Sequence, residues 1–403
     1  MWEQIAANRR KSFVLVMATA ALLMALGYSL GEYFGGRGFG WYGLAAAAVV
    51  WLIMTLISWF QGDQVMLAVS GAHRIEKEDL PVLFNVVEEM TLAAGLPQMP
   101  AIYIIDDPAP NAFATGRRPE TAAVAVTSGL LRSLTRDELQ GVIAHEIGHI
   151  RNRDIQLMLF AGVLAGAIVI LAEVGLRGMW FGGGLSRSRR SGGNESAGII
   201  AVIAIVLAIL APILARLIYF AISRKREYLA DASSAVFTRY PEGLASALEK
   251  ISASAQRPTH ATRATAPMYI VDPMLREGAM AAQGSATHPP VGQRIQILRS
   301  MGGTDFGAYQ DSYTLATGKK GVLPPSALTG DGGVGPRTAA TESAPAGEAS
   351  RRNLARQVDD FFYRKGGYDR IPCDCGTVLK IPPDFQSSHA TCPRCGKEHS
   401  LKS

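Results

Sequence analysis

Apolar residues in this chain gather into long unbroken runs at about 13–30, 40–60, 157–176 and 198–222, and elsewhere into short periodic stretches. Each run is close to the roughly 20 residues that a helix needs to span a hydrocarbon core. The first run follows Arg9, Arg10 and Lys11, a basic cluster that the positive-inside rule holds in the cytoplasm. A cleaved signal peptide processed near Ala25-Leu26-Gly27 is the competing reading. A longer apolar run follows almost at once, so the pair reads better as a transmembrane hairpin over 1–60. The hairpin returns residues 61–155 to the cytoplasmic side. The third and fourth runs predict a second hairpin at about 157–222. Against it stand Arg177, Arg187, Arg189 and Arg190 in the intervening loop, and Glu173 and Arg216 in or near the runs. A re-entrant, tilted or cavity-lining path therefore stays open for that stretch.

Between the runs the periods shorten. Asp79 and Pro81 open a helix through about Ala94, with Leu83, Val87, Met90 and Ala94 on one side. Ile102–Ile105 and Ala122–Thr127 read as short strands separated by turn-rich residues 106–121. Thr135-Arg136-Asp137-Glu138 is a capping box that starts a helix at Thr135. Along it, Leu139, Ile143, Ile147 and Ile150 form a core-facing stripe. Residues 241–255 and Gln293–Met301 read as further helices, with 256–286 polar and irregular. Residues 302–350 are rich in Gly, Ala, Ser, Thr and Pro, the composition of a flexible linker.

On the capped helix, His145-Glu146-Ile147-Gly148-His149 sets two imidazoles four residues apart with a carboxylate between them. Positions i and i+4 lie about 40° apart on a helix, so both rings can reach one Zn²⁺ while the Glu faces the open coordination position. Such a set activates water. Two such His can also be ordinary satisfied residues, so a third ligand is needed. Glu227 supplies it, and Asp231, one turn further on, can accept the ring N–H of a ligand His.

All four cysteines fall near the end, at Cys373, Cys375, Cys392 and Cys395. Two short cysteine hairpins predict a structural zinc ribbon, here over 351–403. The first pair is Cys-x-Cys, tighter than usual, and His389 or His399 could stand in as a ligand. Two disulfides are the alternative, disfavoured by the reducing cytosol that the topology implies.

The motif continued by Ile150-Arg151-Asn152-Arg153-Asp154, together with the later Ser-Arg-x-x-Glu-x-x-Ala-Asp at 223–231, resembles the HtpX branch of the gluzincin membrane metalloproteases, relatives of the CaaX prenyl proteases. Asn111-Ala112-Phe113-Ala114-Thr115-Gly116 is similar to the family segment preceding the edge strand that holds substrate backbone. Thr287-His288-Pro289-Pro290, with Arg294, is similar to its late His-Pro-Pro motif. The resemblance covers roughly residues 1–300. It implies a mainly α fold with a small mixed β-sheet, a multi-pass membrane zincin to which the zinc ribbon is appended. It implies zinc ligands His145, His149 and Glu227, and Glu146 as general base. It also implies a His288 and Arg294 pair near the scissile carbonyl, and substrate contacts at Asn111, Ala112, Phe113 and Ala114. His288 would stabilise the oxyanion or occupy the open zinc position in a resting state. The protease domain would span 61–301.

The formal net charge of +6 is modest for 403 residues, and its basic clusters flank membrane runs where anionic lipid heads would meet them. No glycine-rich phosphate loop, Ser-His-Asp order or nucleic-acid pattern emerges. The sequence therefore predicts a zinc endopeptidase with one catalytic and one structural Zn²⁺, acting on membrane or membrane-associated proteins. By family likeness it sits in the bacterial inner membrane, faces the cytoplasm and serves protein quality control. The ribbon offers a small surface for recruiting substrates, a protein partner or nucleic acid, and its tail carries no basic-aromatic pattern that favours the last. Two alternatives stay open: a narrow processing protease for lipidated or short peptides, and a catalytically silent membrane scaffold.

Overall fold

The computed structural model describes residues 2–116, 118–153, 155, 177, 224–256, 258–259, 268–271, 288–328, 335–337 and 344–401. The third and fourth apolar runs, and the second hairpin drawn from them, lie outside the described residues.

The first two runs belong to longer helices, α1 (Trp2–Gly35) and α2 (Gly40–Val69). Within them, Val16–Gly35 and Gly40–Ile57 are long and apolar enough to cross a membrane by length and composition. The two helices meet through Gly27, Gly31, Gly43 and Ala47, small residues that let the backbones approach closely. Trp41, Tyr42, Leu52, Ile53 and Phe60 are left exposed.

A four-stranded sheet follows, made of β1 (Ala72–Arg74), β2 (Ala101–Ile105), β3 (Ala112–Thr115) and β4 (Ala123–Thr127). Its order is β1-β2-β4-β3, with β2 and β4 parallel and the outer pairs antiparallel. The short strands β1 and β3 are not among the sequence expectations. All four residues of β3 are buried, so no alternation marks it. Helix α3 (Pro81–Ala94) opens on its proline, as expected, whereas Asp79 accepts the Glu76 amide in the preceding turn instead of capping the helix.

Thr127 caps α4 (Ser128–Ser133) by accepting the Leu130 amide. The capping box of α5 (Arg136–Asn152) forms fully: Thr135 Oγ1 accepts the Glu138 amide at 3.4 Å, and Glu138 Oε2 accepts the Thr135 amide at 2.8 Å. The anticipated apolar stripe is buried, but so is every other residue from Glu138 to Ile150. Thus α5 is the central helix of the domain, with α3, α6 (residues 224–238) and α7 (Pro241–Ser252) packed around it, and α8 (Val291–Arg299) lying on α7.

The region read as a flexible linker differs most from expectation. It contains α9 (Phe306–Thr317), capped by Asp305, and the short α10 (Pro325–Leu328); α11 (Ala344–Lys365) begins near its end. Tyr309, Tyr313, Val322, Leu323, Leu354, Val358 and Phe361 join the same buried core as α5. The low-complexity composition hides a few large side chains at helical spacing, and these supply the burial that holds the segment down. Residues 351–365, expected within the ribbon, complete α11, which packs on α4 and α5. Only beyond it come two hairpins, β5 (Asp369–Pro372) with β6 (Val378–Ile381), and β7 (His389–Thr391) with β8 (Glu398–Ser400).

Candidate metal centre and its surroundings

Two glycines of α5 decide how near its neighbours can come, Gly148 for α6 and Gly141 for α7. A Cβ on Gly148 would stand 3.0 Å from the Ser233 side chain and 3.4 Å from the Ala230 backbone. One on Gly141 would stand 2.5 Å from the Leu244 backbone nitrogen. Ser234 Oγ fixes the contact by donating to the Gly141 carbonyl at 2.8 Å. This close packing lays Glu227 over the two histidines.

His145 Nε2 and His149 Nε2 are 3.2 Å apart. Glu227 Oε2 is 3.6 Å from the first, and Glu227 Oε1 is 3.5 Å from the second. A tetrahedral ion with bonds of about 2.0–2.1 Å holds its ligand atoms roughly 3.3–3.4 Å apart, so the triangle has the right size for one metal ion. Ligand atoms of the three residues lie within 4.8 Å of one another. Glu227 Oε2 and Glu146 Oε1 are buried without a hydrogen-bond partner, a costly arrangement that a bound cation and its water would relieve. The residues present fit a metal centre.

Electrostatics points the same way. Burial raises the Glu227 carboxyl, but His288, His145, His149 and Arg294 around it outweigh that and hold the group well below the usual carboxylate range. Glu146 goes the other way: burial lifts it, and His145 and His149 only partly oppose that. Two neighbouring carboxylates are thus pushed apart, one kept ionised as a ligand and one made a better proton acceptor. The Glu146 carboxylate also accepts the Ala114 backbone N–H.

Asp231 Oδ1 lies 3.0 Å from His145 Nδ1, on the side of the ring away from Nε2 and the metal position. Burial opposes its charge, and Arg294 restores it. Arg294 is fully buried and grips Asp231 with both arms, Nε to Oδ2 at 2.9 Å and Nη2 to Oδ1 at 2.7 Å. Its Nη1 donates to the Ile270 carbonyl at 2.9 Å and stands 3.7 Å from Glu227 Oε2. Arg294, expected with His288 near the scissile carbonyl, directs three of its five N–H donors to Asp231 and Ile270 and so positions the Asp231 carboxylate. His288 is also buried, with Nε2 3.7 Å from Glu227 Oε2.

The segment Asn111–Ala114 does not precede the edge strand but largely is that strand. It is not an open edge throughout. The Ile270 amide donates to the Ala112 carbonyl at 3.0 Å, Asn111 Nδ2 donates to the Val271 carbonyl at 2.8 Å, and Tyr269 packs edge-on against Phe113. Residues 268–271 therefore cover the strand at Ala112, while Ala114 lies beside Glu146. Sequence reasoning missed the Ile270 carbonyl because it belongs to an irregular stretch without a pattern.

The four cysteines converge at the other end of the chain. Their thiols are free, with Cys373 Sγ 3.5 Å from Cys395 Sγ and Cys375 Sγ 3.6 Å from Cys392 Sγ, too far for disulfides and near the roughly 3.8 Å of a tetrahedral sulfur site. The tight Cys-x-Cys is accommodated by a turn in which Gly376 donates to the Cys373 carbonyl at 2.8 Å, matched by Gly396 to Cys392 at 2.9 Å. The histidines are not needed: His389 bonds Ser388, and the four sulfurs alone could hold an ion.

Residues 80–302 match the model of Peptidase family M48. The chain is 45% identical over 301 residues to the protein named Protease HtpX homolog of Dictyoglomus thermophilum, covering 75% of this chain and 95% of that one. It is 41% identical over 301 residues to the protein of the same name from Streptococcus gordonii, covering 75% of this chain and all of that one (100%). A solved structure, the crystal structure of S. mikatae Ste24p, is similar with a TM-score of 0.38 and 19% identity, covering 74% of this chain and 67% of that one.

Proposed function

Because the chain belongs to peptidase family M48, we propose that it is a membrane-integrated zinc endopeptidase whose ion is held by His145, His149 and Glu227. The observation that carries this reading is the convergence of two imidazoles and a carboxylate into one buried triangle beside a second carboxylate, Glu146. Zinc in that place supplies Lewis acidity toward water and toward the peptide carbonyl. Glu146, raised by burial, takes the proton of the attacking water and returns it to the leaving amine. Asp231 and Arg294 keep the His145 ring oriented through that exchange. His288, buried beside Glu227, polarises the carbonyl oxygen. An extended substrate pairs with the part of β3 near Ala114.

Two apolar helices at the start of the chain support anchoring in a bilayer. The protein is multi-pass, sits in the inner membrane with its site facing the cytoplasm, and takes membrane or membrane-associated proteins as substrates in protein quality control. The four-cysteine module is a structural zinc ribbon that binds a protein partner. The test is Glu146→Gln in detergent-solubilised full-length protein: metal content stays at the wild-type level while cleavage of casein or a membrane-protein substrate falls by at least roughly a hundredfold. Equal cleavage by the two proteins would overturn the assignment.

A further inference from the structure

The Asn111 carbonyl accepts the Thr127 amide of β4 at 3.0 Å, so by the alternation of an antiparallel ladder the next carbonyl, that of Ala112, points away from β4. Strand β3 is the last in the order β1-β2-β4-β3, which puts this carbonyl on the edge where an added strand would pair. The chain fills that place itself. The Ile270 amide donates to the Ala112 carbonyl at 3.0 Å, and the Ile270 carbonyl accepts from Arg294 Nη1 at 2.9 Å. The Asn111 side chain brackets the next residue, with Nδ2 donating to the Val271 carbonyl at 2.8 Å and Oδ1 accepting the Val271 amide at 3.4 Å. All four backbone polar groups of Ile270 and Val271 are thus taken by the β3 edge or by Arg294, whose Nη1 also stands 3.7 Å from Glu227 Oε2. Tyr269 completes the cover by packing edge-on against Phe113, ring centroids 5.2 Å apart. Backbone pairing with apolar side chains buried beside it is how a sheet edge holds an extended peptide.

Resting on the protease reading above, we infer that residues 268–271 are an autoinhibitory strap, an internal competitor that a substrate seated near Ala114 must displace to continue along the edge to Ala112. When only a fraction of the molecules is competent to bind, apparent affinity falls by that fraction while the chemistry after binding is unchanged. The strap therefore acts on KM and leaves kcat alone.

Two measurements on full-length protein in detergent test this. In the first, Glu146→Gln is saturated with fluorescently labelled casein, binding is followed by anisotropy, and amide hydrogen exchange is read along the chain. Ile270 and Val271 should lose their protection when casein binds, while α7 keeps its own. Protection at 268–271 that is unchanged or increased by bound casein would overturn the strap and make the segment a fixed wall of the site. In the second, Tyr269→Ala removes the packing on Phe113 and should lower KM for casein by about tenfold with kcat unchanged, the factor for a competent state populated at roughly one part in ten. A folded Tyr269→Ala protein with KM at or above the wild-type value would likewise overturn the strap; if that variant does not fold, the exchange measurement decides alone. A wild-type protein that neither binds nor cleaves casein would overturn the protease reading itself, and this inference with it.

Discussion

Two clusters among the described residues could hold a metal ion, and they are built in opposite ways. The His145, His149 and Glu227 cluster is set into the middle of a large apolar core, on two helices whose neighbours are buried on nearly every side. The cysteine cluster sits in a module whose buried core is Cys373, Leu379, Ile381, Ala390 and Cys392, so two of its five residues are the ligands themselves. The first site is organised by the fold, and the second must organise the fold around it. A preformed site can use its ion for chemistry, while a site that lacks a core spends the binding energy on folding.

Metal removal should expose this contrast most strongly. Binding of a structural zinc contributes on the order of 10 kcal/mol to the folding of so small a unit. After chelation, amide hydrogen exchange should reach unfolded rates across residues 369–401 while α5 stays protected; a four-cysteine module that stays protected without metal would erase the distinction. Next in size is Asp231→Ala, which strands the Arg294 guanidinium in the core and should destabilise the catalytic domain by roughly 3–5 kcal/mol in denaturant titration. Gly141→Ala should cost about 1–3 kcal/mol, because its Cβ must displace the Leu244 backbone. Its melting curve should shift while the ribbon's exchange does not. Smallest is Asp374→Ala on the ribbon, which breaks the exposed pair with Lys397 and should leave the unfolding midpoint where it was.

Much of this contrast is legible in the sequence, and the exceptions have physical reasons. The capping box at Thr135, the paired histidines and the cysteine spacing are local signals, written within a few residues, and each forms as anticipated. Asp231 was placed by one helical turn from Glu227, again a local inference. What escaped depends on contacts far apart in sequence. Strand β3 is buried on both faces, so no alternation reveals it, and its cover comes from residues 268–271. Arg294 could be tied to the site by motif, but only the fold shows it turned toward Asp231. The helix bearing Tyr309 and Tyr313 was obscured by small-residue composition around it, although Asp305 followed by aromatics at four-residue spacing is a helix signal that would have found it.

Metal equivalents per folded chain, measured for the full-length protein and for Glu227→Ala, address the central claim most directly. Two zinc ions should fall to one, the remaining ion staying with the cysteines and helical content unchanged. A folded Glu227→Ala protein that still carries two ions would contradict a centre built from His145, His149 and Glu227.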